Sequence, residues 1–209
     1  MVSCGAGFQY WTYTDNKPVE HIIHPTVIPV WVDASFTSGQ VEEIKAAITE
    51  WNYVFNGQMF IYLVEKKALG TDKKMHSYPD SFTSYEGGQQ LQKKCEQTGL
   101  GWVIYNLPSD NEHLDKDVSS STLAFVTGID EHSITVVSDR FGNRSMKDIL
   151  MHEFAHLLGA VHVNTPCLEY PYYSNKQYSC IDKITVAQVA QVRNLDMDGL
   201  NYCITPNFL

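Results

Sequence analysis

The chain has 209 residues, enough to bury a sizeable core, and with 44 % hydrophobic and 12 % aromatic residues it reads as globular, not disordered. A formal net charge of −9 argues against a nucleic-acid partner, which calls for concentrated Lys and Arg, and no apolar run approaches the length of a bilayer span. Lys66 with Lys67, Lys73 with Lys74 and Lys93 with Lys94 stand as isolated pairs, read as solvated surface. No repeat, low-complexity tract or linker divides the chain, so residues 1–209 are read as one domain.

At the start, Met1 to Cys4 runs directly into polar and aromatic sequence, without the apolar stretch of a secretory signal. The alternative is that Val2-Ser3-Cys4-Gly5 ends a trimmed lipoprotein signal, with Cys4 carrying a lipid anchor. Residues 28–33 alternate as a strand, with Pro29 at its start or on an edge. A helix follows, capped by Thr37 or Ser38, whose Val41, Ile44, Ile48, Trp51 and Phe55 recur at helical spacing and form a core stripe. Residues 59–64 and 102–107 read as two further strands. Between them, residues 65–100 are rich in Lys, Gly, Ser and Gln and read as a variable surface insertion.

Residues 109–117 make an acidic loop, read as solvated, with bound calcium as the main alternative. Residues 123–127 and 134–138 give two more strands around a turn at 128–132. A helix from the N-cap Ser145 to Leu158 comes next, and after a loop-rich stretch Val186, Val189 and Val192 mark a last amphipathic helix over 185–195.

The chemistry concentrates in His152-Glu-Phe-Ala-His156-Leu-Leu-Gly159-Ala-Val-His162. Positions four apart share a helix face, so His152 and His156 can present ring nitrogens to one cation. Gly159 accepts the left-handed backbone that ends a helix, and the chain can then return His162 as a third ligand. Three neutral imidazoles suit Zn²⁺ and leave its fourth position to water, the mark of a catalytic site. Glu153 stands beside that position as the general base for hydrolysis.

This extended pattern resembles the metzincin clan of zinc endopeptidases, and within it the matrixins, the family of the matrix metalloproteinases. Two flanking segments add to the resemblance. Cys167-Leu-Glu-Tyr-Pro-Tyr-Tyr173 is similar to the matrixin segment Ala-Leu-Met-Tyr-Pro-x-Tyr, and Thr122-Leu-Ala-Phe-Val126 to the edge strand that holds substrate. The resemblance implies an α+β fold: a twisted mixed five-stranded sheet packed on two helices, over about 25–159, above a small loop-rich lower lobe with a C-terminal helix, over about 160–209. It further implies substrate pairing at Leu123 and Ala124, and a specificity pocket lined by Pro171 and Tyr173. One departure stands out. Glu169 occupies the place of the methionine that lies beneath the metal in the family. Its carboxylate either hydrogen-bonds a ligand histidine from behind or points to solvent.

The leading expectation is therefore a secreted zinc endopeptidase that cleaves internal bonds of extended protein substrates and acts as a monomer, with restraint by a longer precursor or a separate inhibitor protein left open. The alternative, motivated by Glu169, is a catalytically silent metzincin-like zinc-binding interaction module. Five cysteines leave at least one thiol unpaired, and a Cys167–Cys180 bridge beside the cleft stands at even odds. His113-x-Asp115, with His132, faintly echoes the family's structural-zinc site at the wrong spacing.

Overall fold

The computed structural model describes residues 2–3, 27–129, 131–163, 168 and 180–203. Among these, the architecture is α+β. Eight strands are β1 (Val2–Ser3), β2 (Val27–Val32), β3 (Phe60–Leu63), β4 (Glu65–Leu69), β5 (Met75–Pro79), β6 (Trp102–Asn106), β7 (Ala124–Val126) and β8 (Ser133–Val136). Four α-helices are α1 (Ser38–Phe55), α2 (Tyr85–Thr98), α3 (Met146–Leu157) and α4 (Lys183–Arg193).

The main sheet has five principal strands in the order β7-β8-β6-β2-β3, and the two-residue β1 pairs on the outside of β7. β8, β6, β2 and β3 run parallel to one another, whereas β7 is antiparallel to both β8 and β1. β6 is buried on both faces, which suits its run Trp102 to Tyr105; the closing Asn106 is buried too and donates to the Ser35 hydroxyl at 3.0 Å. Trp102 and Ile104 turn to the main core with Trp51, Phe55 and Phe154, while Val103 and Tyr105 turn to a second cluster with Phe82 and Cys95.

Helix α1 forms as the sequence directs. Thr37 is the N-cap: its hydroxyl accepts from Gln40 N at 3.3 Å, and Gln40 Oε1 accepts from Thr37 N at 2.8 Å, a reciprocal capping box. The helix ends at Asn56 in the left-handed conformation. Its buried stripe packs on α3, and the Trp51 indole donates to Met151 O at 3.0 Å, so the two helices are joined by a polar bond inside the core. Trp102 of β6 stacks on Phe154 of α3, with ring centroids 5.5 Å apart.

The surface insertion read over 65–100 is corrected. It holds the exposed hairpin β4–β5 and then α2, which packs on the outer face of β6, so helices cover both faces of the sheet. Helix α2 buries only Gly88 and Cys95, too thin a stripe to register as periodicity. A Cβ on Gly88 would lie 2.4 Å from Tyr105 Cε1, so glycine permits the helix to sit against the ring. Lys66, Lys67, Lys73 and Lys74 are exposed on this hairpin, with Lys66 and Lys67 opposite Tyr78 and Ser77.

Candidate metal centre

Helix α3 is built to hold polar groups in an apolar interior. Ser145 caps it, accepting from Asp148 N at 3.2 Å, and every helical residue except Lys147 is buried. His152 and His156 fall one turn apart on the same face, their rings edge-on with centroids 4.6 Å apart. Glu153, wholly buried, follows His152 on the same helix.

The chain then turns as the glycine predicts. Gly159 has φ +100°, and a Cβ there would lie 2.5 Å from Val192 Cγ1 of α4, so both the conformation and the close approach require glycine. Helix α4 grips this turn with two polar groups. Gln188 Oε1 accepts from Val161 N at 2.7 Å, and the buried Arg193 guanidinium donates to Leu158 O at 3.1 Å and to Leu157 O. These bonds satisfy carbonyls that the helix end leaves without partners and place a positive charge at its C-terminal pole. His162 is thereby carried back to the other two imidazoles.

The three Nε2 atoms form a nearly equilateral triangle, 3.0 Å from His152 to His156, 3.1 Å from His152 to His162 and 3.2 Å from His156 to His162. Tetrahedral zinc at roughly 2.0–2.1 Å from each nitrogen requires separations of about 3.3 Å, close to those observed. The opposite ring nitrogens settle what these contacts are. Nδ1 of His152 donates to Leu168 O at 2.6 Å and Nδ1 of His156 donates to Ala160 O at 2.9 Å; a carbonyl can only accept, so the proton of each neutral ring sits on Nδ1. The Nε2 atoms of these two rings are consequently the unprotonated nitrogens, turned to the point that a shared metal ion would occupy.

A shared proton is a poor substitute. Burial, followed by the neighbouring imidazoles, holds His152 well below the ordinary histidine range. The same two causes, against the opposing carbonyl of Ala160, bring His156 to about 3, and burial alone brings His162 to about 4. Near neutral pH the cluster is three neutral donors directed at one point, a set that fits a divalent metal such as zinc.

Of the other residues singled out in the sequence, Leu123 and Ala124 are buried at the start of β7, at the sheet margin nearest α3. The outer edge of β7 pairs with β1, Val126 with Val2 and Phe125 with Ser3. Glu169, Pro171 and Tyr173 lie outside the described residues, as do Cys4 and Cys167. The expected Cys167–Cys180 bridge is corrected, since Cys180 pairs with Cys203. Cys95 is a buried free thiol, pushed up to about 11 by burial and then by Glu96, and so unreactive. The acidic loop and the echo of a second zinc site do not converge: His113 stacks on Tyr85, Asp115 accepts from Asp117 N, and His132 Nδ1 bonds Gly101 O. Among the described residues, the three histidines are the one group of three or more His, Cys, Asp or Glu side chains gathered as metal donors.

The orienting carbonyls of Leu168 and Ala160, and the grip of Gln188 and Arg193, escaped the sequence reading. A backbone carbonyl carries no side-chain signal, and a Gln and an Arg on an amphipathic helix read as ordinary surface. No protein-family model matches this chain, and comparison with curated proteins finds no match.

Proposed function

We propose that this protein is a zinc-dependent endopeptidase of metzincin type, most similar in its motifs to the matrixins. The observation that carries the reading is the triangle of His152, His156 and His162 Nε2 atoms, with the Nδ1 protons of the first two committed to carbonyls. Zinc held there supplies Lewis acidity, making water acidic near neutral pH and polarising a substrate carbonyl. Glu153, buried on the same helix, would be the group that takes a proton from water and hands it to the leaving amine.

Substrate would lie along the β7 side of the cleft, at Leu123 and Ala124, with Pro171 and Tyr173 lining the pocket. That this edge already accepts the extended Val2–Ser3 in antiparallel register supports recognition through backbone pairing. The Cys180–Cys203 disulfide is compatible with an extracellular protein, and no described helix is long and apolar enough to cross a membrane; both are in keeping with secretion.

The second reading, a silent zinc-binding interaction module, is favoured by Glu169 at the methionine position. The two readings part on one experiment. Glu153→Gln, incubated with casein beside the native protein, should retain one zinc and lose about 10²–10⁴-fold in cleavage rate. A native protein that binds zinc but cleaves neither casein nor a random peptide pool favours the module.

A further inference from the structure

We infer that Asp182 is a positioning residue for the metal centre, acting on His152 through both polar groups of a single intervening residue, Leu168. The inference rests on the reading of the three histidines as metal ligands. Asp182 is 1 % exposed and divides its carboxylate between two tasks. Oδ1 caps α4, accepting from Ile184 N at 2.9 Å and Thr185 N at 3.0 Å. Oδ2 accepts from the Thr185 hydroxyl at 2.9 Å and reaches beyond the helix to Leu168 N at 2.8 Å. Leu168 in turn offers its carbonyl to Nδ1 of His152 at 2.6 Å. A continuous path therefore runs from Nε2 of His152, through its ring, the carbonyl and amide of Leu168, to a buried carboxylate.

The path acts by position: Asp182 anchors Leu168 at its amide, and Leu168 places its carbonyl against His152. A carboxylate accepting from the Leu168 amide fixes the residue in place, and its carbonyl then holds the His152 ring in the tautomer and orientation that leave Nε2 free for a metal. A helix cap alone needs only one acceptor oxygen, which serine supplies. The second oxygen of Asp182 goes to a residue 14 positions earlier in the chain. The base of the path is itself pinned: Lys183 N donates to Cys203 O at 2.8 Å, Cys203 N donates to Ile181 O at 3.0 Å, and Cys180 is bonded to Cys203. Helix α4 thus serves two of the three ligands, His152 from its N-cap and, through Gln188 and Arg193, the turn that returns His162.

The test compares two variants of the full chain that weaken α4 at opposite ends. Asp182→Ser keeps a capping oxygen but is too short to reach Leu168. Asn194→Ala strains the left-handed C-cap, where φ is 54°, and leaves Leu168 untouched. Zinc dissociation constants, measured by competition with a chromophoric chelator, should weaken about tenfold or more for Asp182→Ser and stay within about twofold for Asn194→Ala at comparable loss of melting temperature of the apoproteins. Equal affinities in the two variants overturn the role of Asp182 while leaving the metal centre standing; a native protein that binds no zinc overturns both. Should Asp182→Ser fail to fold, hydrogen exchange on the native apoprotein decides. The Leu168 amide is expected to be protected, and exchange at the rate of an exposed amide contradicts the proposal.

Discussion

Helix α3 and the β4–β5 hairpin are adjacent problems with opposite solutions. In α3 two histidines and a glutamate are buried among Leu150, Met151, Phe154 and Leu157, where an unsatisfied polar group is costly. In the hairpin every residue from Glu65 to Tyr78 except Gly70 is exposed, including Leu69 at 67 % and Met75 at 63 %, where an apolar side chain gains little. Polar groups held in the interior demand specific partners, and the carbonyls of Leu168 and Ala160 supply them for Nδ1 of His152 and His156. Apolar groups left outside demand nothing. The informative feature of this chain is accordingly what it buries, and the same number of substitutions should have very different effects in the two regions.

The largest effect is expected at the triangle. His156→Ala removes one of three donors and should take zinc from one per chain to near zero and abolish any cleavage, as measured by elemental analysis beside an activity assay. Next in size is the response of the apoprotein to acid. His156 and His162 have folded values near 3 and 4, below the unfolded value of about 6.5, so the unfolded chain binds more protons between those limits. Stability should thus be level above about pH 6.5 and fall as the pH drops from there towards 3, a trend that thermal melting checks. Replacing His162 by Gln should flatten its upper part.

Gly88→Ala should destabilise by about 1–3 kcal/mol in chemical unfolding, because the added methyl would meet the Tyr105 and Phe82 rings. That result would place α2 with α3 as part of the packed body. Smallest of all, Leu69→Ser with Met75→Ser should change stability by no more than about 0.5 kcal/mol and leave zinc binding untouched. A large loss there would mean that the hairpin packs against something, and would remove the contrast.

How far the sequence spoke follows the same division. The gathering of His152, His156 and His162 was legible because the chemistry fixes their spacing: four residues along one helix face, then a glycine that alone tolerates φ +100° against Val192. Strands β2, β3, β6, β7 and β8 and helix α1 were legible from strand-forming runs, helical spacing and the Thr37 cap, whereas β1, β4 and β5 were not. Helix α2 was not, since its inward face of Tyr85, Gly88, Leu91 and Cys95 includes a glycine and stands among polar residues. The disulfide was misread because loop length says nothing of which Cβ atoms meet, and the Asp182↔Cys203 bridge that aligns Cys180 with Cys203 is a long-range feature. Asp182 itself reads in sequence as a plain helix cap, and its second oxygen acquires meaning only once Leu168 is seen beside it.

The central claim is that three imidazole Nε2 atoms, 3.0, 3.1 and 3.2 Å from one another, are gathered to share a metal ion. Zinc titration of the chelator-stripped protein, followed by calorimetry, tests it most directly. The account predicts one tight site per chain with little net proton release from the histidines at pH 7, since all three are already neutral there. Absence of a site, or a site of equal affinity in a variant lacking His152, His156 and His162, would contradict it.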